Sequence, residues 1–213
     1  MIYQKVIKRI LDVVLAGLAL ILLSWLFLLL AIVVYVDDPG PVFFSQKRVG
    51  IHKTHFQLHK FRSMKMSTPH DVPTHLLENP DQYITRIGRF LRKSSLDELP
   101  QIWDIFTGKM SIVGPRPALW NQFDLIAERD KYGANDIRPG LTGWAQINGR
   151  DELEIPEKAR FDGEYASVMK TGGTKAFALD IKCFIRTIFS VVKSEGVVEG
   201  ATESSKSSNR QNN

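Results

Sequence analysis

The longest uncharged stretch of the chain is residues 13–36, and it constrains the fold more than any other feature. As an α-helix it would be about 36 Å long, enough to cross a hydrocarbon core of roughly 30 Å. Basic residues flank it on both sides: Lys5, Lys8 and Arg9 before it, and Lys47, Arg48 and Lys53 after it. Lys and Arg accumulate on the cytoplasmic side of membrane segments. Because both flanks carry them, we do not expect either end of this segment to cross to the other side of the membrane.

The flanking charges therefore predict a re-entrant helix, which enters and leaves the membrane on the same face. Such a helix needs a break near its middle, and Ser24-Trp25 is the interruption that the sequence offers, with Gly17 a little earlier. A single straight span is the alternative. A cleaved signal peptide is not expected, because the apolar run exceeds the roughly 7–15 residues that are usual for one.

The remainder of the chain suits one compact domain. Its net charge of +5 favours anionic lipid headgroups or anionic substrates. The lone cysteine, Cys183, excludes an intramolecular disulfide and is consistent with a reducing, cytosolic compartment for the soluble part. His55 and His59 lie in an alternating strand pattern, where positions four apart do not converge, so a zinc site is not expected.

Local patterns predict several elements of that domain. Residues 42–50 and 54–64 are short runs rich in aromatic and β-branched residues, and they predict a β-hairpin. Residues 67–81 contain three prolines and no sustained period, which predicts an exposed loop. Residues 176–195 have an apolar helical pattern with basic residues opposite, which fits either a core helix or a membrane-surface helix.

Residues 84–93 predict a basic amphipathic helix. Its apolar stripe consists of Ile84, Ile87, Phe90 and Leu91, and its other face carries Arg86, Arg89, Arg92 and Lys93. A solvated surface helix and a helix in the headgroup layer both fit this pattern.

A further helix is predicted from the apolar spacing of Leu99, Ile102, Trp103 and Phe106, with Gly108 as its stop. Two registers are open for its start.

In the first register, Ser95 and Glu98 form a capping box, but Pro100 would then lie inside the helix, where its ring crowds a carbonyl. In the second, Asp97 is the cap and Pro100 falls in the first turn. Asp97 and Glu98 would then stand where free N–H groups favour anions. Capping and catalysis both remain open as roles for this acidic pair.

Two rigid segments present guanidinium groups. Pro115 and Pro117 hold the backbone around Arg116, which suits bidentate contact with a phosphate. Residues 138–150 combine three glycines with side chains suited to stacking on a base and hydrogen bonding a nucleotide, namely Arg138, Trp144, Gln146, Asn148 and Arg150.

Together these groups indicate phosphate chemistry beside a membrane. The predicted substrate or phosphate partners are Lys60, Arg92, Arg116, Arg138, Gln146 and Arg150. Asp97 and Glu98 diverge by about 100° on a helix, so they are predicted to do different jobs. One carboxylate can attack phosphorus and form an acyl phosphate while the other holds Mg²⁺.

Six motifs, in this order, resemble the bacterial sugar transferase family: KRILD, FSQKRVG, HKFRSM, SSLDELPQIW, GKMSIVGPRP and RPGLTGWAQINGR. The likeness runs from about Lys8 to about Lys193 and is to the small, monotopic polyprenyl-phosphate phosphoglycosyl transferases. It implies transfer of a sugar 1-phosphate from a UDP-sugar to undecaprenyl phosphate, with release of UMP, as the start of surface glycan synthesis. It also implies a place at the bacterial inner membrane, with the catalytic domain on the cytoplasmic face among the membrane lipids.

The resemblance assigns residue roles as well. It implies that Asp97 is the nucleophile, that Glu98 is associated with Mg²⁺, and that Arg116 is associated with the phosphates. Family members commonly carry Ser-Pro at the break of the membrane helix, whereas this chain has Ser24-Trp25. The return must therefore rely on the Ser24 hydroxyl bonding to the backbone.

The expected fold class is α+β, with a mainly helical cytosolic domain, a small β-hairpin, an N-terminal re-entrant membrane helix and amphipathic helices at the membrane surface. Residues 1–36 are assigned to the membrane helix, 37–198 to the catalytic domain and 199–213 to a disordered tail.

Two other classes are weighed against the enzyme. The positive net charge is the only argument for a nucleic-acid-binding protein. Such a protein is not expected, because the basic residues are concentrated in rigid motifs that contain proline and glycine. An inactive scaffold would have no need for Asp97, Glu98 and Arg116 together. The sugar, the pathway and the oligomeric state stay open, although residues 117–122 resemble members that handle N-acetylated sugars.

Overall fold

The computed structural model describes residues 2–68, 80–149 and 153–193. Its helices are α1 (Lys8–Leu22), α2 (Ser24–Asp37), α3 (Arg86–Ser94), α4 (Gln101–Phe106), α5 (Phe123–Asp130), α6 (Trp144–Ile147), α7 (Ile155–Thr171) and α8 (Gly173–Lys193). Its strands are β1 (Phe43–Val49), β2 (His55–Phe61), β3 (Ser111–Val113) and β4 (Gly140–Thr142). The predicted α+β class is confirmed. Most of the predicted loop, Arg150 and the predicted tail lie outside the described residues.

The N-terminal apolar segment breaks at Leu23, next to the predicted position. Leu23 leaves the helical conformation (φ −95°, ψ 5°), and the helices on either side of it are bent by 62°. The Ser24 hydroxyl donates to the carbonyl oxygen of Ile21 at 2.8 Å, as expected where proline is missing. Among the described helices none alone is long and apolar enough to cross a bilayer, whereas this bent pair reaches that length and apolarity together.

Both ends of the bent pair are fastened to the rest of the protein. At its start, the hydroxyl of Tyr3 and the ammonium of Lys8 donate to the carboxylate of Asp180 on α8, at 2.6 and 2.8 Å. At its end, the carboxylate of Asp37 accepts the backbone N–H of Ile87 in α3 at 3.0 Å. The first and last turns of the pair therefore dock on the same folded body.

β1 and β2 form the predicted antiparallel hairpin, with Phe44 opposite Lys60 in its register. The hairpin is joined to α4 by a buried carboxylate, Asp104. This carboxylate accepts the backbone N–H of His59 at 2.9 Å and contacts its ring Nδ1 at 2.8 Å. The contact holds β2 beside the start of α4, so that Lys60 reaches the turn that precedes that helix.

The structure corrects the predicted apolar stripe of α3. Leu91 is fully buried, but Phe90 is exposed and Ile84 precedes the helix. Gly88 explains the difference, because it lies so close to the carbonyl group of Ser63 that a Cβ would collide with it. This close approach decides which face of the helix is buried. On the basic face Arg86, Arg89 and Lys93 are exposed as predicted, whereas Arg92 is half-buried and turns towards Ser63.

The structure also corrects the start of α4. Neither predicted cap is found, since Ser95 has a left-handed conformation (φ 57°) without a capping bond and Pro100 occupies the position before the helix. Asp97 and Glu98 belong to a separate 3₁₀ turn. Pro100 fits that position because its missing N–H is not needed before the helix has begun.

The apolar stripe predicted for α4 is split between two environments. Ile102 is buried in the core, together with Ile105, which the predicted stripe did not include, whereas Trp103 and Phe106 are exposed. The ring of Phe106 lies beside Gly17 of α1. The exposed pair therefore continues the apolar surface of the bent helices instead of filling the core.

β3 and β4 form a short parallel pair. A Cβ at Gly140 or at Gly143 would collide with the backbone of Gly114, so these glycines serve close packing. This packing accounts for Gly140 and Gly143 without any ligand, and Gly149 has a positive φ of 143° beside the side chain of Leu153.

α8 exposes most of its apolar side chains. Ala176, Asp180 and Cys183 face inward, and a continuous outward stripe consists of Phe177, Ile181, Phe184, Ile185, Ile188 and Phe189. Of the two readings left open by the sequence, this stripe excludes a fully buried core helix.

Candidate active site

The acidic pair lies on the 3₁₀ turn Leu96–Glu98, between α3 and α4. Ser95 closes α3 in the left-handed conformation, and this sharp change of direction turns the next residues inward. Asp97 is only 7% exposed. A carboxylate so deeply placed needs charged neighbours or a proton, and the surrounding side chains decide which.

Glu98 is held by two cations from different elements. Lys60 of β2 donates to its Oε1 at 2.8 Å, and Arg116 contacts both oxygens, at 2.6 Å to Oε1 and 3.4 Å to Oε2. Burial alone would raise the pKa of Glu98, but Arg116 and Lys60 outweigh it and hold that pKa well below its ordinary range. Glu98 is therefore ionised at neutral pH.

Asp97 has longer contacts with the neighbouring cations than Glu98 has, and its pKa shifts in the opposite direction. Its Oδ2 is 3.6 Å from the ammonium of Lys60, which is closer to Glu98. Burial raises the pKa of Asp97 above its ordinary value, and the charge of Glu98 adds to this, while Lys60, Arg92 and Arg116 oppose it. The two adjacent carboxylates thus differ in environment, as the prediction of two different jobs requires.

Arg92 of α3 lies near this pair, with its Nε donating to the hydroxyl of Ser63 at 2.9 Å. Arg48 of β1 is also part of the site, and it was not among the predicted site residues. Burial lowers the pKa of Arg48 to about 10, with Arg116 adding to the effect and Glu98 opposing it. Arg48 therefore remains charged at neutral pH. The sequence feature that could have identified Arg48 as a site residue is its position in the motif FSQKRVG.

Arg116 is positioned by its neighbours as well as by the two flanking prolines. Its carbonyl oxygen accepts a bond from Arg129 of α5 at 2.9 Å, and Arg129 is itself fixed by Asp162 of α7, at 2.6 and 2.8 Å. Arg129 and Asp162 are both buried. No sequence pattern links these two residues, so they were not foreseen.

A cavity of about 260 Å³ opens beside Glu98 and Arg116. Gln146 lines it, and its Oε1 is buried without a hydrogen-bond partner among the described residues. Its amide nitrogen donates to the carbonyl oxygen of Leu141 at 3.2 Å. The structure thus places Lys60, Arg92, Asp97, Glu98, Arg116 and Gln146 around this turn and its cavity.

Arg138 is placed elsewhere. The charges that act on it are those of Arg9 and Asp12, and it lines a different cavity. Trp144 does not present its ring to the Glu98 cavity, because its indole N–H donates to Glu164 and Lys182 lies over its face. Stacking of a base on this ring is therefore not supported. Arg150 falls outside the described residues.

The site offers few protein ligands for a Mg²⁺ ion. The described part of the chain has no group of three or more His, Cys, Asp or Glu side chains that could hold a metal ion. Glu98 is ionised, but its Oε1 already accepts from Lys60 and Arg116. The donor set fits a Mg²⁺ ion bound mostly by substrate phosphates and water, with one protein carboxylate, which is a usual arrangement for this ion.

The sequence model of the bacterial sugar transferase family matches residues 3–194, and the chain belongs to this family. It is 37% identical over 193 residues to the uncharacterized sugar transferase EpsL of Bacillus subtilis (strain 168), covering 90% of each chain. It is 39% identical over 199 residues to the UDP-glucose:undecaprenyl-phosphate glucose-1-phosphate transferase of Escherichia coli (strain K12), covering 87% of this chain and 40% of that protein.

A third relative carries a different sugar in its name. The UDP-N-acetylgalactosamine-undecaprenyl-phosphate N-acetylgalactosaminephosphotransferase of Aeromonas hydrophila is 39% identical over 145 residues, covering 66% of this chain and 34% of that protein. The chain therefore spans less than half the length of these two named transferases and most of the length of EpsL.

Proposed function

We propose that the chain transfers a sugar 1-phosphate from a UDP-sugar to undecaprenyl phosphate, releases UMP and so begins the synthesis of a surface glycan. One observation carries the proposal: a buried carboxylate, Asp97, stands beside a second carboxylate, Glu98, that holds two cations in place. The names of the Escherichia coli and Aeromonas hydrophila relatives support the same reaction class.

The reaction divides into two half-reactions at one phosphorus atom. An oxygen of Asp97 attacks the phosphorus that carries the sugar, and the bond from that phosphorus to the bridging oxygen breaks, so that UMP leaves with the electron pair. The product is an acyl phosphate between Asp97 and the sugar phosphate. An oxygen of undecaprenyl phosphate then attacks the same phosphorus, and the Asp97 carboxylate is released.

The neighbouring cations favour both steps. Arg116 and Lys60 stand where negative charge on the phosphoryl oxygens would need stabilisation. Their contacts with Glu98 fix them before substrate arrives, so that little reorganisation is needed. Mg²⁺, with Glu98 as its protein ligand, would neutralise the diphosphate and make UMP a better leaving group.

The proposal places the bent helix pair in the cytoplasmic face of the bacterial inner membrane, entering and leaving on that face. The docking of both Tyr3 and Asp37 on one folded body supports this, because a straight span would separate them by the thickness of the bilayer. The exposed apolar faces of α4 and α8 support a membrane-surface position for the domain. This position brings Asp97 towards a lipid phosphate.

UMP release tests the reaction directly. Purified chain, given Mg²⁺ and a panel that includes UDP-glucose and UDP-N-acetylgalactosamine, should release UMP in a burst before undecaprenyl phosphate is added. Intact mass spectrometry should then show one sugar phosphate on the protein.

The variant Asp97→Asn should show neither the burst nor the added mass, although Asn is nearly isosteric. Asp124→Asn, at an exposed carboxylate on α5, is the matched control and should retain both. Turnover at the wild-type rate in Asp97→Asn would contradict the assignment. Loss of activity in the control would show that the assay reports general damage.

A further inference from the structure

A second cavity, of about 330 Å³, lies between the first turns of the N-terminal segment and the region around β3. It shares no lining residue with the cavity at Glu98. Its charged lining residues are four basic ones, Lys5, Lys8, Arg138 and Lys170, and two acidic ones, Asp12 and Asp136. The proposed reaction uses none of these side chains.

The two acidic residues of this cavity have hydrogen-bond partners in or beside its wall. Asp12 accepts the hydroxyl of Ser111 at 2.8 Å and the N–H of Ile112 at 3.0 Å. Asp136 contacts His52 at 3.1 Å. Within the described residues neither carboxylate forms an ion pair with a lysine or arginine of the cavity.

Three of the basic side chains have no such partner. Within the described residues, Lys5, Arg138 and Lys170 make neither an ion pair nor a hydrogen bond through their side chains, whereas Lys8 is paired with Asp180. Lys5 and Lys170 are exposed at the edge of the cavity. The cavity therefore carries an excess of positive charge.

Of these three residues, Arg138 gives the strongest indication that the cavity binds an anion. Its Nε is buried without a hydrogen-bond partner among the described residues. Burial lowers the pKa of this guanidinium, and the nearby Arg9 adds to the effect, while Asp12 opposes it. A buried guanidinium nitrogen without a partner is costly, and a phosphate oxygen would satisfy it.

We infer that this cavity binds the phosphate group of an anionic membrane lipid. Its wall includes Lys5 and Lys8, which lie in the turns just before the apolar run 13–36. Beside it, the ring of Tyr3 packs edge-on against Phe177, the first member of the outward apolar stripe of α8, at 6.1 Å. Basic pockets at this depth, where apolar surfaces begin, suit lipid headgroups.

The inference rests on the membrane placement proposed above and not on the chemistry of Asp97. The site would anchor the start of the re-entrant segment through an ionic contact, in addition to the contacts with Asp180. A lipid bound there would also supply the missing partner of Arg138.

Lipid binding to the full chain in a non-ionic detergent tests it. Dioleoylphosphatidylglycerol, dioleoylphosphatidylcholine and inorganic phosphate are titrated separately, with native mass spectrometry and thermal unfolding as readouts. Phosphatidylglycerol should bind and raise the unfolding temperature. The double variant Lys5→Gln/Lys170→Gln should weaken this binding by about tenfold, since it removes two charged contacts.

The matched control is Lys109→Gln/Lys175→Gln, which removes two exposed charges outside the cavity and should bind as the wild type does. Arg138→Gln should weaken binding at least as much as the double variant. If Arg138→Gln fails to fold, the double variant alone decides, because both of its lysines are exposed.

Three results would overturn the inference. Equal weakening in the control would reduce the effect to general surface charge. Equal binding of phosphatidylcholine would show that the negative charge is not recognised. Full competition by inorganic phosphate at millimolar concentration would point to a free phosphate as the ligand. UMP release is measured separately, so none of these results bears on the proposed reaction.

Discussion

Arg129 is the residue through which the core supports the active site, and its replacement gives a quantitative prediction. Its Nε and Nη2 donate to Oδ2 of Asp162 at 2.8 and 2.6 Å, and Nη2 also donates to the carbonyl oxygen of Arg116 at 2.9 Å. The two side chains of the ion pair are only 5% and 1% exposed. Arg129→Met keeps most of the volume but removes all three bonds.

The cost follows from the burial of the pair. Removing one partner of a buried ion pair costs roughly 3–5 kcal/mol. The pKa of Asp162 is already raised, with burial as the main cause and Arg129 opposing it. Without Arg129 this pKa rises further, so Asp162 can take up a proton and lose its charge. Because a neutral carboxyl costs less to bury, we expect the loss of unfolding free energy to be about 3 kcal/mol, the lower end of that range. For a domain of this size the unfolding temperature should fall by roughly 6–12 °C.

The pH dependence has a definite sign. Because the pKa of Asp162 in the folded state lies above its unfolded value, the stability of Arg129→Met should fall as pH rises through that raised pKa. The variant should therefore recover part of its loss at mildly acidic pH. Its kcat/KM should also fall, by roughly tenfold, because the backbone of Arg116 loses its tether.

Thermal unfolding in detergent, from pH 5.5 to 8, measures these effects. Arg160→Met removes an arginine from exposed pairs on α7 and should change stability by less than about 1 kcal/mol. The double variant Arg129→Met/Asp162→Leu should regain much of the lost stability, since no buried charge is left. An unfolding temperature for Arg129→Met within about 2 °C of the wild type at pH 8 would refute the reasoning.

Three further predictions follow from the site and the bent helices. Asp97→Asn should unfold at a higher temperature than the wild type at pH 8 and at the same temperature in strong acid, because the raised pKa of Asp97 makes folding less favourable as pH rises through it; equal stability at pH 8 would contradict this. Arg116→Lys should be almost as inactive as Arg116→Ala, since an ammonium cannot reproduce a bidentate fork, and a fully active Lys variant would count against that role. Single cysteines at Ile2 and Ser45, both exposed, in a Cys183→Ser background should resist a membrane-impermeant thiol reagent in intact cells and react after lysis; labelling at Ile2 from outside would mean a true span.

The features that the sequence predicted well depend on local chemistry. The hairpin follows from alternating residues on either side of a turn, and the break at Leu23 lies beside Ser24, the first side chain of the apolar run that carries a hydroxyl. The stripe predicted for α4 is wrong in part, because periodicity identifies apolar side chains but not the surroundings that they contact. Trp103 and Phe106 have the spacing of core residues but lie on the surface.

The features that the sequence could not supply depend on contacts between distant elements. Arg129 meets Asp162 through the packing of α5 on α7, and neither residue belongs to a distinctive motif. Arg138 shares a motif with Gln146, yet the two side chains line different cavities. A motif gives the order of residues along the chain but not the direction in which each side chain leaves the backbone.

The charges around Asp97 explain why one short turn needs so many basic neighbours. Four cations act on two carboxylates there: Arg48, Lys60, Arg92 and Arg116. The site is therefore positive overall before a substrate arrives, and a nucleotide sugar brings a diphosphate of about −2 charge. Because Glu98 takes the closest contacts of Lys60 and Arg116, Asp97 is spared a tight ion pair that would weaken it as a nucleophile. Under the proposed function, Glu98 thus keeps the cations in place and Asp97 available.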